Sequence, residues 1–391
     1  MEERTRAYLR GRFRDYYRRA SVTTPPGAER REWGYIPWTE GPDTTMVRHR
    51  SLLDLGNLEE FLERERPRHV YFSAGYYEDP SARTMQSKRW QGSDLVFDLD
   101  ADHLPNVTLG EDSYAEMLSK CKAALLRLVD LLERDFGYDD LTIAFSGGRG
   151  YHVHVRDERV KELERNERRE IVDYLRGNGL DLDSLVVEEG VGGMGLKNPT
   201  TRRTLPTDGG WGRRTTDTID DFVDELLTRD EDDAVEYLQS LEGVGEKSAQ
   251  AIYNVVSNNT DAVRAGNVDV HPAFLKIARM LVERTVDEQE APIDEPVTTD
   301  TNRLIRFPGT LHGGSGLEVL RLTPEELDDF DPLTDAVPET FVGHEIQVDI
   351  ERPYTLEFFD ETLTVEPGVT TLPEYAGIFL MARGWAEKAK E

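Results

Sequence analysis

The stretch LVFDLDADH, residues 95–103, sets two carboxylates, Asp98 and Asp100, inside an apolar run. Alternation along a strand puts Leu95, Phe97 and Leu99 on one face and Asp98 and Asp100 on the other. The apolar face belongs to a core. The acidic face is the constrained one, because burying an unpaired carboxylate is costly and a pair held there usually serves a cation or catalysis. Two hard oxygen donors side by side suit Mg²⁺ or Mn²⁺. A solvated strand end in an acidic chain has the same spacing, so Asp-x-Asp alone does not decide.

A second block narrows the choice. In FSGGRGYHVHV, residues 145–155, Ser146, Gly147, Gly148 and Gly150 permit a tight turn with positive φ that brings backbone N–H groups close to an anion. Arg149 adds a planar fork matched to phosphate oxygens. His152 and His154 alternate onto one face of the returning strand; as a zinc pair they would need further ligands, and none stands at a sensible spacing. A third block, PIDEPVTTDTNRLIRFPGTLHGGSGL at 292–317, supplies another acid, two arginines and a histidine. Acids for metal together with Arg and His for a triphosphate make the inventory of a two-metal nucleotidyl transferase.

In this order the blocks resemble the catalytic subunit of archaeal and eukaryotic primases, and within that family the archaeal small subunit. REWGY, MVRHRSL, YFSAGYYEDP, MQSKRWQGSDLVFDLD and PEYAGIFLMARG support the likeness, which covers most of the chain outside parts of 156–285. The resemblance implies an α/β fold, a primase catalytic core of mixed or antiparallel sheets flanked by helices, with a helical insertion. It implies metal-dependent, template-directed synthesis of primers from nucleoside triphosphates, with Mg²⁺ or Mn²⁺ held by Asp98, Asp100 and Asp294. Asp294 is preferred to Asp300 because it stands eighteen positions before His312, the family spacing. Ser146, Arg149 and His152 match the nucleotide-binding turn, Arg306 a basic triphosphate contact, His312 a triphosphate histidine, and Arg48 an active-site arginine. The implied partners are a large subunit carrying an iron–sulfur cluster, a single-stranded DNA template and nucleoside triphosphates. Two departures stand out. The family's zinc knuckle after the Asp-x-Asp strand is reduced to His103 and Cys121, so no structural zinc is expected. Gly148 stands where some relatives carry a second basic residue, which leaves more of the phosphate binding to Arg149.

Two other classes compete. Phosphohydrolases of the haloacid-dehalogenase type carry Asp-x-Asp after an apolar strand, with Thr or Val where this chain has Asp102. A non-catalytic DNA-binding subunit could be built on LEGVGEKSAQAI, residues 241–252, which resembles a helix-hairpin-helix. There Gly243 and Gly245 would form the hairpin, and Lys247 and the second helix's amides would meet a DNA phosphate.

The 391 residues divide into a first part of the core at 1–190, an insertion at 191–265 and a second part of the core at 266–391. The Gly/Thr/Arg-rich GLKNPTTRRTLPTDGGWGRRTT reads as a loop, and LPEYAGIFLMARGWAEKA as a closing amphipathic helix. Apolar residues make up 38% of the chain, and no run approaches the roughly 20 residues of a membrane span. With no apolar leader, a cytoplasmic protein is expected. One cysteine excludes an internal disulfide and a thiolate-only metal centre within the chain. The net charge of −30 is spread over most of the sequence and fits a halophilic cytoplasm. At about 1 M salt the Debye length is near 3 Å, so global charge hardly repels a nucleic acid and local arginines decide binding.

Overall fold

The computed structural model describes residues 1–39, 45–191 and 200–390, which form two compact units. The first comprises 1–126, 138–172 and 292–391; the second comprises 127–137 and 173–291. The expected insertion at 191–265 falls inside the second unit, which also takes in the helix Pro272–Gln289.

Two four-stranded antiparallel sheets build the first unit. One runs in the order Leu304–Arg306, His69–Ser73, Trp33–Ile36, Val47–Arg50; the other runs Leu320–Leu322, Leu141–Phe145, Gly150–Val155, Leu95–Asp100. In the second sheet the alternation read from sequence holds. Leu95, Phe97 and Leu99 are fully buried, and Cys121, on the 21-residue helix Tyr114–Arg134, donates its thiol to the Leu99 carbonyl at 3.7 Å. The other face, carrying His152 and His154, turns toward the first sheet, where Phe72 stacks on His154 at 5.7 Å. Phe307 closes the same layer edge-on against Trp33 at 5.0 Å.

A third sheet pairs Glu345–Ile350 with Gly368–Pro373 and with Ala386–Lys388. The last strand corrects the reading of a single closing helix. That helix spans Glu374–Ala382 and is buried along nearly its whole length, so it is not amphipathic. Gly384, in the left-handed region at φ +73°, ends it and turns the chain back onto the sheet.

The second unit packs the helices Gly210–Leu227, Glu231–Ser240, Glu246–Asn258 and Pro272–Gln289 around Ile219, Phe222, Leu238, Ile252, Phe274 and Leu281. Part of the expected loop at 195–216 is helical from Gly210 onward. Tertiary contacts override the weak propensity of GGWGRRTT: Trp211 donates to the Tyr174 carbonyl at 2.9 Å, and Arg214 pairs with Asp130 at 2.7 Å. Of the same stretch, 195–199 lies outside the described residues, and Thr200–Thr204 forms a strand paired with Val187–Val191.

Candidate active site

Two aspartates four residues apart on the same chain segment sit in contrasting surroundings. Asp94 is fully buried and fully answered: Arg31 reaches it at 2.7 Å, Arg156 at 3.3 Å, and the Tyr76 hydroxyl donates to it at 2.7 Å. Burial works against its charge, but His154, Arg31 and Arg156 outweigh that and hold the carboxyl below the usual range. Asp98, with its side chain 23% exposed, has no such cage. Its nearest basic neighbour is His152 Nε2 at 3.4 Å. That imidazole is buried, with its pKa pushed down to about 3, so it is neutral and leaves the Asp98 charge unbalanced. Burial and then the charge of Asp100 raise Asp98 to about 6.

Asp100 lies on the same face of the strand, 4.0 Å from Arg149 Nε. Asp294 reaches the pair from the far part of the chain by donating its backbone N–H to the Asp98 carbonyl at 2.9 Å. Burial and the charge of Asp98 raise its pKa too. Asp300, the rival, is exposed and caps its own loop by accepting from Asn302 N–H at 2.9 Å. Among the described residues no group of three or more His, Cys, Asp or Glu closes around one point to hold an ion unaided. A hard cation such as Mg²⁺ or Mn²⁺ keeps waters and takes one or two carboxylates plus substrate phosphates. The mutual repulsion of Asp98, Asp100 and Asp294 is the electrostatic setting that such a cation would relieve.

The charge of Asp98 should be visible in stability. Its carboxyl binds a proton more tightly in the folded state (about 6) than at its ordinary value of 3.8. Its stabilising contribution is therefore full below pH 4 and is lost as pH rises through 6. Without metal, Asp98→Asn is expected to be more stable than the parent at pH 7.5 by on the order of 1–3 kcal/mol, with the gain vanishing near pH 4. Denaturant melts at the two pH values check this.

The glycine turn is shaped by the strand beside it. A Cβ on Gly150 would lie 1.9 Å from the Leu99 carbonyl oxygen, and one on Gly147 (φ +72°) would lie 2.6 Å from His312 Cβ. Glycine at both positions lets the turn lie against the Asp-x-Asp strand and the His312 loop at once. The turn is more occupied than its sequence suggests. Ser146 Oγ accepts from the amides of Gly148 and Gly150, each at 3.3 Å, and Arg149 pairs with Asp102.

Ser146, Arg149, Arg306, His312 and Asp100 line one cleft of about 360 Å³. His312 Nδ1 accepts from Gly314 N–H at 3.3 Å. Burial, reinforced by Arg306, His69, Arg383 and Arg68, holds the imidazole well below its usual pKa, so it is neutral in the free protein. Two expected nucleotide contacts are not among the residues lining that cleft. His152 is 4% exposed and lies against Asp98. Arg48, on the outer strand of the first sheet, pairs with buried Glu32 at 3.2 Å, where Lys88 also binds. Sequence reasoning overlooked Arg68 and Arg383, which line the cleft beside Arg306. Arg383 had a signal, as the lone charge closing the apolar run Ala376–Ala382.

In the second unit, Gly243 sits at φ +69° between Glu231–Ser240 and Glu246–Asn258, which is a hairpin between helices. The Lys276 ammonium binds the Gly243 carbonyl, and Gly245 and Lys247 stand at the start of the second helix.

The family model described as DNA primase small subunit matches residues 97–323. Over their full lengths the chain is 70% identical to a protein of Halobacterium salinarum and 63% identical to one of Haloarcula marismortui. It is 42% identical to one of Methanococcoides burtonii over 99% of each chain. Each is named DNA primase small subunit PriS.

Proposed function

Since the chain belongs to the DNA primase small-subunit family, we propose that it is the catalytic subunit of a DNA primase, a nucleotidyltransferase that makes short primers on a single-stranded DNA template. The observation that carries the reading is the set of carboxylates Asp98, Asp100 and Asp294, near enough for their charges to raise the pKa of Asp98 and Asp294, beside a cleft lined by arginines. Asp98, Asp100 and Asp294 would hold the divalent cations, Mg²⁺ or Mn²⁺, which would supply activation of the attacking hydroxyl and charge neutralisation at the leaving phosphates.

Arg306 and His312 take the triphosphate, His312 entering as a neutral N–H donor. Arg149 exchanges Asp102 for phosphate oxygens as the nucleotide enters, and Ser146 holds the turn in shape. His152 positions Asp98. The 3′-oxygen of the growing chain bonds to the α-phosphorus, the α–β anhydride bond breaks, the hydroxyl proton is lost and pyrophosphate leaves. A large subunit completes the enzyme, which works in the cytoplasm. The hairpin at Gly243, Gly245 and Lys247 is the proposed contact to a DNA phosphate.

The test is incorporation of labelled nucleotide on single-stranded DNA with Mg²⁺ or Mn²⁺ in roughly molar KCl, where an acidic, lysine-poor surface keeps the protein folded. Incorporation under these conditions is expected. Phosphate release from monoesters, independent of Arg306 and His312 and without incorporation, would make the chain a phosphohydrolase. DNA binding indifferent to loss of Asp98, again without incorporation, would make it a non-catalytic subunit. Activity confined to dilute buffer would refute the halophilic part of the reading.

A further inference from the structure

Arg149, the guanidinium of the glycine turn, is engaged with Asp102 and Asp100. Three other arginines line the same cleft. Arg68 is tied down, donating from Nε to the Gly313 carbonyl at 3.0 Å. Arg306 and Arg383 differ. Among the described residues neither forms an ion pair with a carboxylate, in a chain with 77 acidic residues, and in both the Nε is buried without a hydrogen-bond partner.

Rings and the Tyr114 hydroxyl, not counter-charges, hold Arg383. Its guanidinium carbon lies 4.2 Å from the centroid of Tyr114, 4.5 Å from Phe379 and 5.0 Å from Trp385. The rings are themselves fixed. Trp385 stacks on Tyr354 at 4.8 Å with planes 5° apart, and Tyr114 donates its hydroxyl to the carbonyl of Gly148 in the turn. The Tyr114 hydroxyl takes one hydrogen bond from the guanidinium, and the aromatic faces orient the rest of its N–H fork, whose geometry matches phosphate oxygens. Arginines gathered around one cavity repel each other until an anion enters.

We propose that Arg383 contacts the phosphate tail of the incoming nucleoside triphosphate, so that the C-terminal segment 382–385 is a wall of the nucleotide site. The assignment rests on the nucleotidyltransferase reading above. It makes up for the single basic residue of the turn, and through Tyr114 and Gly148 it ties the wall to the turn.

The experiment titrates ATP with Mg²⁺, and separately AMP, into the parent protein, Arg383→Ala, Arg383→Lys and Arg306→Ala in molar KCl. Arg383→Ala is expected to weaken ATP roughly tenfold or more while AMP changes less than about twofold, as for a lost charge-assisted hydrogen bond to the outer phosphates. Arg383→Lys, which keeps the charge without the fork, should recover part of the ATP affinity, and it decides the matter if the alanine variant does not fold. Equal losses for ATP and AMP would mean a purely structural role and overturn the proposal, as would unchanged ATP affinity. ATP binding that depends on Arg306 but not on Arg383 would overturn this assignment alone. A parent protein that binds no ATP would instead overturn the functional reading beneath it.

Discussion

Replacing Asp98 or Asp100 with alanine is expected to stop nucleotide incorporation, by on the order of a thousandfold or more, while the protein stays folded. A bound cation contributes several kcal/mol of charge stabilisation in the transition state, and about 1.4 kcal/mol is a factor of ten. The fold survives because Asp98, unlike Asp94, holds no structural ion pair whose loss would strand a buried charge. Asp294→Ala should behave like the other two. Asp300→Ala should keep its activity, since Asp300 is exposed and occupied with its own loop. Labelled-nucleotide incorporation alongside thermal melts checks all four variants. An essential Asp300 with a dispensable Asp294 would show that the spacing to His312 misassigns the third acid.

Arg306→Ala should weaken nucleotide binding roughly ten- to a hundredfold, because a hydrogen bond to a charged group contributes about 1.5–3 kcal/mol. In the free protein its Nε is buried without a partner and its guanidinium lies 5.9 Å from the Tyr71 ring, so nothing in the fold depends on it as an ion-pair partner. The loss should appear as a raised KM if the contact is equal in ground and transition states, and also as a lower kcat if it tightens as charge develops. Metal binding without nucleotide should hold or strengthen slightly, since Arg306 is one of the cations that draw down the pKa of Asp98. Separate titrations of nucleotide and Mn²⁺ distinguish the two effects.

What was legible in the sequence was local. The Asp-x-Asp strand announced its two faces by alternation, the glycine turn by composition, and the acid, arginine and histidine of 294–312 by spacing. The structure brings these three blocks together through one sheet and the edge of another. What was not legible depends on distant partners. Arg31, Glu32, Lys88 and Asp94 look like surface residues in a chain that is 32% charged, yet all four are buried in paired clusters. Nothing near Asp94 in sequence distinguishes it from Asp98; the difference is made by arginines 63 positions before it and 62 after it. The closing segment misled for the same reason. Its last strand exists because Ala386–Lys388 finds Glu345–Ile350, a pairing without local pattern. Arg383 and Trp385, just before that strand, line the cleft.

The measurement closest to the central claim is Mn²⁺ binding followed by its paramagnetic signal, with and without ATP, in the parent, Asp98→Ala and Arg306→Ala proteins. Asp98→Ala should lose protein-bound Mn²⁺ yet still bind metal-free ATP, while Arg306→Ala should keep Mn²⁺ and bind ATP roughly ten- to a hundredfold more weakly. Normal ATP binding with lost Mn²⁺ binding in Arg306→Ala, or undiminished Mn²⁺ binding in Asp98→Ala, would contradict that claim.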